Sequence, residues 1–150
     1  MTLKKKLTSV LASAVLVGAM AAPSLAVVKD PNLDNVNVKV WKNILTGEKF
    51  SGMGKHAEKC FEDGIGLVKG TSKIRKAYTK PITVLFITGR IESLYLNGEK
   101  GTLEQGTDKT FVFQDKDART TDDGRKYFDG KAVIKVMKNS EKDLDLEIIR

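Results

Sequence analysis

From Val36 to Ile149, short runs of β-branched and aromatic residues are cut by Gly, Asn, Asp or Pro clusters about every 8–15 residues. Runs that short, broken that often, suit antiparallel strands joined by tight turns. Parallel strands need crossovers of a dozen residues or more. Val36-x-Val38-x-Val40, followed by Trp41 and Ile44, alternates like a half-buried strand. Ile82–Thr88 is apolar on both parities and predicts a central strand. Gly89 interrupts it, Arg90–Leu96 continues it, and Asn97-Gly98 is a hairpin signal. Lys109–Gln114, Ala132–Met137 and Leu144–Ile149 predict further strands, the last two forming a hairpin about Asn139–Lys142. Asp115–Arg125 and Thr71–Lys80 read as charged loops, and Asp129-Gly130 as a turn. Lys55–Asp63 predicts one short helix closed by Gly64, with Ala57, Cys60 and Phe61 on its inner face and Met53 a turn earlier. The class expected is mostly β: a small antiparallel barrel, OB-like or up-and-down, with one short helix near 55–63.

The N-terminus has a different logic. Met1–Lys6 is basic, Leu7–Ala21 is apolar, and Ser24 and Ala26 are small residues three positions apart. This is the three-part pattern of a secretory signal, with cleavage expected after Ala26. The apolar run falls short of the ~20 residues that span a bilayer. Residues 27–150 then form a single β-rich domain without a transmembrane segment, placed in the periplasm or the medium. The chain has 26 Lys+Arg against 19 Asp+Glu, formally +7, of which Lys4, Lys5 and Lys6 belong to the leader. The remainder is too weakly basic for a protein dedicated to duplex DNA. A single cysteine, Cys60, forms no internal disulfide and is expected to be a buried small hydrophobe.

Several chemistries can be drawn from the side chains. His56 and Cys60 are four apart, which on an α-helix places them on adjacent turns as two soft metal ligands. No other His or Cys completes the set, and Cys60 shares the core face with Phe61. The same two residues form a weak case for a cysteine nucleophile. A secreted hydrolase would have to draw on His56, Glu58, Glu62, Arg75 and Arg90. Lys73, Arg75, Lys76 and Lys80, with Tyr78 between them and Arg90 across the strand, make a basic stretch for an anionic ligand. Asp115 to Gly124 fails the EF-hand template, since Arg119 takes a ligand position. No phosphate-cradling glycine loop, nucleophile elbow or haem attachment motif occurs, and no cofactor is expected.

Ile82–Asp115 carries a long apolar run, Gly89-Arg90-Ile91, and then Phe111-Val112-Phe113-Gln114-Asp115; the tail Leu144–Ile149 alternates with acids. In these features residues 82–150 resemble the small bacterial periplasmic OB-fold proteins. The 45 or so residues before Pro81 lie outside the resemblance, and Tyr127-Phe128 stand where that family carries a tryptophan. The resemblance implies an OB barrel and a role in envelope ligand binding or stress tolerance. The expected function is therefore an exported, non-catalytic binding module. Its partner would be an anionic small molecule, glycan or envelope polymer, held by Lys73, Arg75, Lys76, Tyr78 and Arg90. The alternatives are a metal-handling protein using His56 and Cys60, or a small secreted hydrolase.

Overall fold

The alternating runs become strands whose apolar parity points to one shared core. A computed structural model describes residues 28–106 and 109–150; the expected leader lies outside the described residues. The strands are β1 (Leu33–Trp41), β2 (Ile65–Val68), β3 (Lys73–Tyr78), β4 (Ile82–Val84), β5 (Ile87–Leu96) and β6 (Glu99–Lys100). They continue as β7 (Thr102–Leu103), β8 (Thr110–Asp117), β9 (Arg119–Thr120), β10 (Lys126–Lys135) and β11 (Asn139–Ile149). All pair antiparallel in one sheet, in the order β4-β5-β10-β11-β1-β2-β3-β8-β7, with β6 beside β5 and β9 beside β10. Among the described residues the protein is thus mostly β, with one short helix, as the sequence predicts.

The C-terminal strand is central. β11 pairs with β10 on one side and with β1 on the other. Leu144 and Leu146 are buried in the main core with Phe128, Leu94, Leu96 and Phe111. Asp143, Asp145 and Glu147 alternate with them and therefore face the other way. On that outer face a second small cluster forms from Trp41, Ile44 and Tyr127.

No continuous ladder closes the sheet into a barrel. Its two ends are bridged by residues 99–103. Glu99 and Lys100 pair with β5, and after Gly101 the same segment, as Thr102 and Leu103, pairs with β8. A strand that changes partners needs a kink at the change. Gly101 meets that need, since a Cβ there would lie 2.7 Å from Phe113 Cζ and 2.9 Å from Phe111 Cβ. The two stretches that carry the OB resemblance, β5 and β8, are joined through this segment and do not pair with each other.

Several expectations need correction. Asp115–Arg125 is only in part a loop: Asp115–Asp117 ends β8, and Arg119–Thr120 is β9. Thr71–Lys80 is not a loop: Lys73–Tyr78 is β3, with Ile74, Ala77 and Tyr78 fully buried. Lys76 pairs with Gly66 and Ile74 with Leu67, so Arg75 is bulged out and the alternation that would have announced a strand is broken. Ile82–Thr88 is not a central strand. It is a hairpin at the sheet edge, paired Val84 to Ile87, with Leu85 and Phe86 at an exposed tip. The C-terminal hairpin turns at 136–138 rather than at Asn139–Lys142, and Asp129-Gly130 lies inside β10. Gly130 serves packing there, because a Cβ would stand 3.1 Å from Leu144 Cδ1 and 3.2 Å from Leu96 Cδ2. The helix is a 3-10 helix over Gly52–Phe61, which drives Cys60 and Phe61 into the core.

Gly101→Ala is expected to destabilise the fold by roughly 1–3 kcal/mol, because the new methyl overpacks Phe111 and Phe113. Urea denaturation reads this as a lower midpoint at unchanged slope. An unchanged midpoint would mean that the kink tolerates a side chain.

Candidate functional site

The sequence-predicted basic residues fall on two strands, and the structure does not bring them together. Lys73, Arg75, Lys76 and Tyr78 lie on β3, whereas Arg90 lies on β5, with β10, β11, β1 and β2 between them in the sheet. Each cation except Lys73 is in a close ion pair. Arg75 donates to both carboxylate oxygens of Asp115, each at 2.8 Å. Lys76 Nζ donates to Glu104 Oε1 at 2.6 Å and lies 3.5 Å from Asp30 Oδ2. Burial opposes the charge on Lys76, but Glu104 and Asp30 outweigh it and hold the ammonium above its ordinary range. Arg90 pairs with Glu92 at 2.9 Å. Tyr78 is fully buried, so neither ring face is open for stacking. Its hydroxyl donates to Asn35 Oδ1 and accepts from the Asp30 N–H, both at 2.9 Å. This tyrosine ties the segment before β1 to β3.

The His56/Cys60 pair is also separated in function. In a 3-10 helix residues four apart stand about a third of a turn from each other, because a turn holds about three residues. Cys60 is 2 % exposed, and burial pushes its thiol up to about 11 against the opposing pull of Lys80. It stays protonated at neutral pH, the wrong form for a nucleophile or a metal ligand. Among the described residues, no three His, Cys, Asp or Glu side chains converge as a metal site. The hydrolase set is scattered: His56 and Glu58 on the helix, Glu62 paired with Lys80 at 2.7 Å, Arg75 on β3 and Arg90 on β5.

A concavity lies on the outer face of β5, β10 and β11. It is an open cleft of about 740 Å³. One wall is the loop Lys42–Glu48, closed on itself by the Asn43–Glu48 bridge. Two buried carboxylates of β11 hold that wall in place. Asp145 Oδ2 accepts from the Ile44 N–H at 2.8 Å, and Glu147 Oε1 accepts from Trp41 Nε1 at 2.9 Å. The Trp41 ring is covered by Lys39, Lys49 and Arg125, whose charged groups stand 4.6, 5.2 and 5.6 Å from its centroid.

The floor is set by strand register. Lys131 pairs with Tyr95 on one side and Asp143 on the other, which lays aromatic, cation and carboxylate side by side on three strands. Asp129 stands opposite Asp145 one step along. The ion pairs here are loose: Lys131 to Glu141 and Arg119 to Asp129 are each 3.9 Å. On β3, Arg75–Asp115 and Lys76–Glu104 are 2.8 and 2.6 Å. Sequence reading passes over Tyr95, Lys131 and Asp143. The one signal for them is parity, since each sits beside a core residue (Leu94 or Leu96, Ala132, Leu144) and so must face outward.

Comparison with known protein families, curated proteins and solved structures finds no match. Among the described residues no helix is long and apolar enough to cross a membrane.

Asp145 yields a pH prediction. Burial raises its pKa, the Ile44 N–H pulls it back, and Asp129 opposite raises it again; the net shift is upward. A carboxyl with a raised folded-state pKa stabilises the fold most below its unfolded value, and that contribution is lost as pH rises through the folded value. Asp145→Asn keeps the acceptor for Ile44 and removes the buried charge. Its melting temperature at pH 7 is expected to equal or exceed that of the parent, and the parent's relative gain on acidification should disappear. Asp145→Ala orphans the Ile44 N–H and is expected to cost roughly 1–3 kcal/mol. Two equal losses would show that the charge, not the hydrogen bond, holds the loop. Separately, Cys60 should resist a thiol reagent at pH 8 until denaturant is added; rapid reaction of the native protein would contradict its packing.

Proposed function

We propose that this protein is an exported envelope module that binds its ligand without converting it. The ligand is polar and hydroxyl-rich, such as a saccharide unit of an envelope polymer, and it occupies the cleft over β5, β10 and β11. The observation that carries this reading is the Tyr95–Lys131–Asp143 row on the floor of that cleft. Sugar hydroxyls both donate and accept, so neighbouring ammonium and carboxylate groups match them better than a patch of one sign. An aromatic ring suits the apolar face of a pyranose. The loose pairs at 3.9 Å leave Lys131 and Arg119 able to trade a distant carboxylate for a ligand hydroxyl. The cleft's volume lies within the range of small-molecule sites. Strands hold the floor more rigidly than loops would, as a binding face requires.

An anionic ligand on β3 has less support, since Arg75 and Lys76 already have close carboxylate partners. Export rests on the leader pattern at residues 1–26. The envelope role follows from that pattern and from the resemblance to periplasmic OB-fold proteins.

Titration with soluble peptidoglycan fragments, followed by amide chemical shifts, tests the reading. Shifts are expected on β5, β10 and the loop Lys42–Glu48, with the fragments recovered chemically unchanged. Tyr95→Ala and Asp143→Ala should each weaken binding about tenfold, the worth of one good polar or stacking contact. Arg75→Glu should leave it unaltered. Shifts confined to β3, or cleaved fragments, would overturn the assignment.

A further inference from the structure

Two hairpin tips end side by side at one edge of the sheet. β5 begins where β10 ends: Arg90 pairs with Lys135, and Val136 Cγ2 lies 3.5 Å from where a Gly89 Cβ would stand. The β4–β5 tip carries Leu85, Phe86 and Ile87, and the β10–β11 tip carries Val136 and Met137. Leu85 is 82 %, Phe86 100 % and Met137 85 % exposed. Leu85, Phe86 and Met137 thus project from neighbouring turns, with Ile87 and Val136 about half exposed beside them. None of these five lines the cleft.

The backbone makes the choice of residues more telling. Leu85 and Phe86 have φ of 51° and 67°, both in the left-handed region. The turn at Asn97-Gly98 has the same form, with φ of 49° and 83°, and uses the residues that such a turn favours. Leucine and phenylalanine pay a steric penalty there. They contribute neither to the core nor to the turn, so their use lies outside the fold.

Charge indicates what they meet. Segments 82–90 and 134–140 contain no Asp or Glu; Arg90 is neutralised by Glu92 at 2.9 Å, which leaves Lys135 and Lys138 as the cations of the tips. Lys135 and Lys138 are exposed and make no ion pair among the described residues. A second copy docked tip to tip would bring these cations together with no acid between them. An anionic bilayer does the reverse: apolar side chains enter the acyl boundary while the lysines behind them meet headgroup phosphates. The hairpin backbones are internally paired, and Thr83 and Thr88 share a hydrogen bond between their Oγ1 atoms at 2.8 Å, so the tip presents few polar groups needing water.

We infer that the paired β4–β5 and β10–β11 tips dock this protein onto an anionic lipid surface, with Leu85, Phe86 and Met137 inserted and Lys135 and Lys138 at the headgroups. Docking at the tips leaves the cleft a separate site, and neither depends on the other.

The test is co-sedimentation with phosphatidylcholine vesicles, with and without phosphatidylglycerol. It uses the chain from Val27, because the leader's own apolar run would bind lipid and, among the described residues, every core residue lies at or beyond Leu33. Binding is expected only with phosphatidylglycerol and should weaken with salt. Lys135→Glu and Lys138→Glu should each reduce it at least fivefold, from the worth of one basic residue near such a surface. The decisive variant is Leu85→Asn with Phe86→Gly, which copies the turn at Asn97-Gly98. It should melt at the same or a higher temperature and bind at least tenfold more weakly. Equal binding by this variant, or no binding by the parent, overturns the proposal. So does a parent that is a dimer in solution, becomes monomeric in this variant and ignores vesicles, which would assign the tips to a second copy.

Discussion

The pleat of β11 is the constraint on which the rest of the structure depends. One strand, paired on both sides, sends Leu144 and Leu146 into the main core and Asp143, Asp145 and Glu147 to the opposite face. Because side chains alternate strictly, a slip of one residue would exchange the two sets and drive three carboxylates into the apolar core. The burial that makes the core and the carboxylates that hold the cleft wall are therefore fixed by the same register. β10 and β1 inherit it, and through them so do Tyr127 and Trp41.

The outer face is held differently from the core. The loop Lys42–Glu48 stays on the sheet through two side-chain acceptors, Asp145 for the Ile44 N–H and Glu147 for Trp41 Nε1. Asp145 is desolvated to do this, which raises its pKa and makes it a site where stability is given up for geometry. At the opposite side of the sheet, Gly101 lets one segment serve two strands, so the ends are bridged without a barrel ladder. A curved, bridged sheet supports the cleft floor on three paired strands.

Charge is distributed unevenly, and this separates the candidate surfaces. On β3, Arg75 and Lys76 have close partners at 2.6–2.8 Å and act as structural ties. In the cleft the pairs are 3.9 Å apart and can exchange. At the hairpin tips there are cations and no acids at all within the two segments. A count of lysines and arginines makes the first surface look the most active; partner distances put it last.

Much of the architecture could be read from local pattern. Val36-x-Val38-x-Val40, Phe111-Val112-Phe113 and Leu144-x-Leu146-x-Ile148 identify their strands, Asn97-Gly98 its turn, and Cys60 beside Phe61 its burial. These signals are legible because pleat, turn dihedrals and burial act on residues close in the chain. Tertiary structure decided the rest. Arg75 meets Asp115 40 residues away, and Lys76 meets Glu104 28 residues away. No local pattern records such partners. The bulge at Arg75 hid a buried strand inside a basic stretch, and a 3-10 helix turned His56 away from Cys60 where α spacing would have aligned them. Ile82–Thr88 has the composition of a central strand, yet whether an apolar run is covered depends on what the remaining chain places over it. Here Ile82 packs against the core while Leu85 and Phe86 stay uncovered at the tip, and that was settled only when β4 became the edge of the sheet.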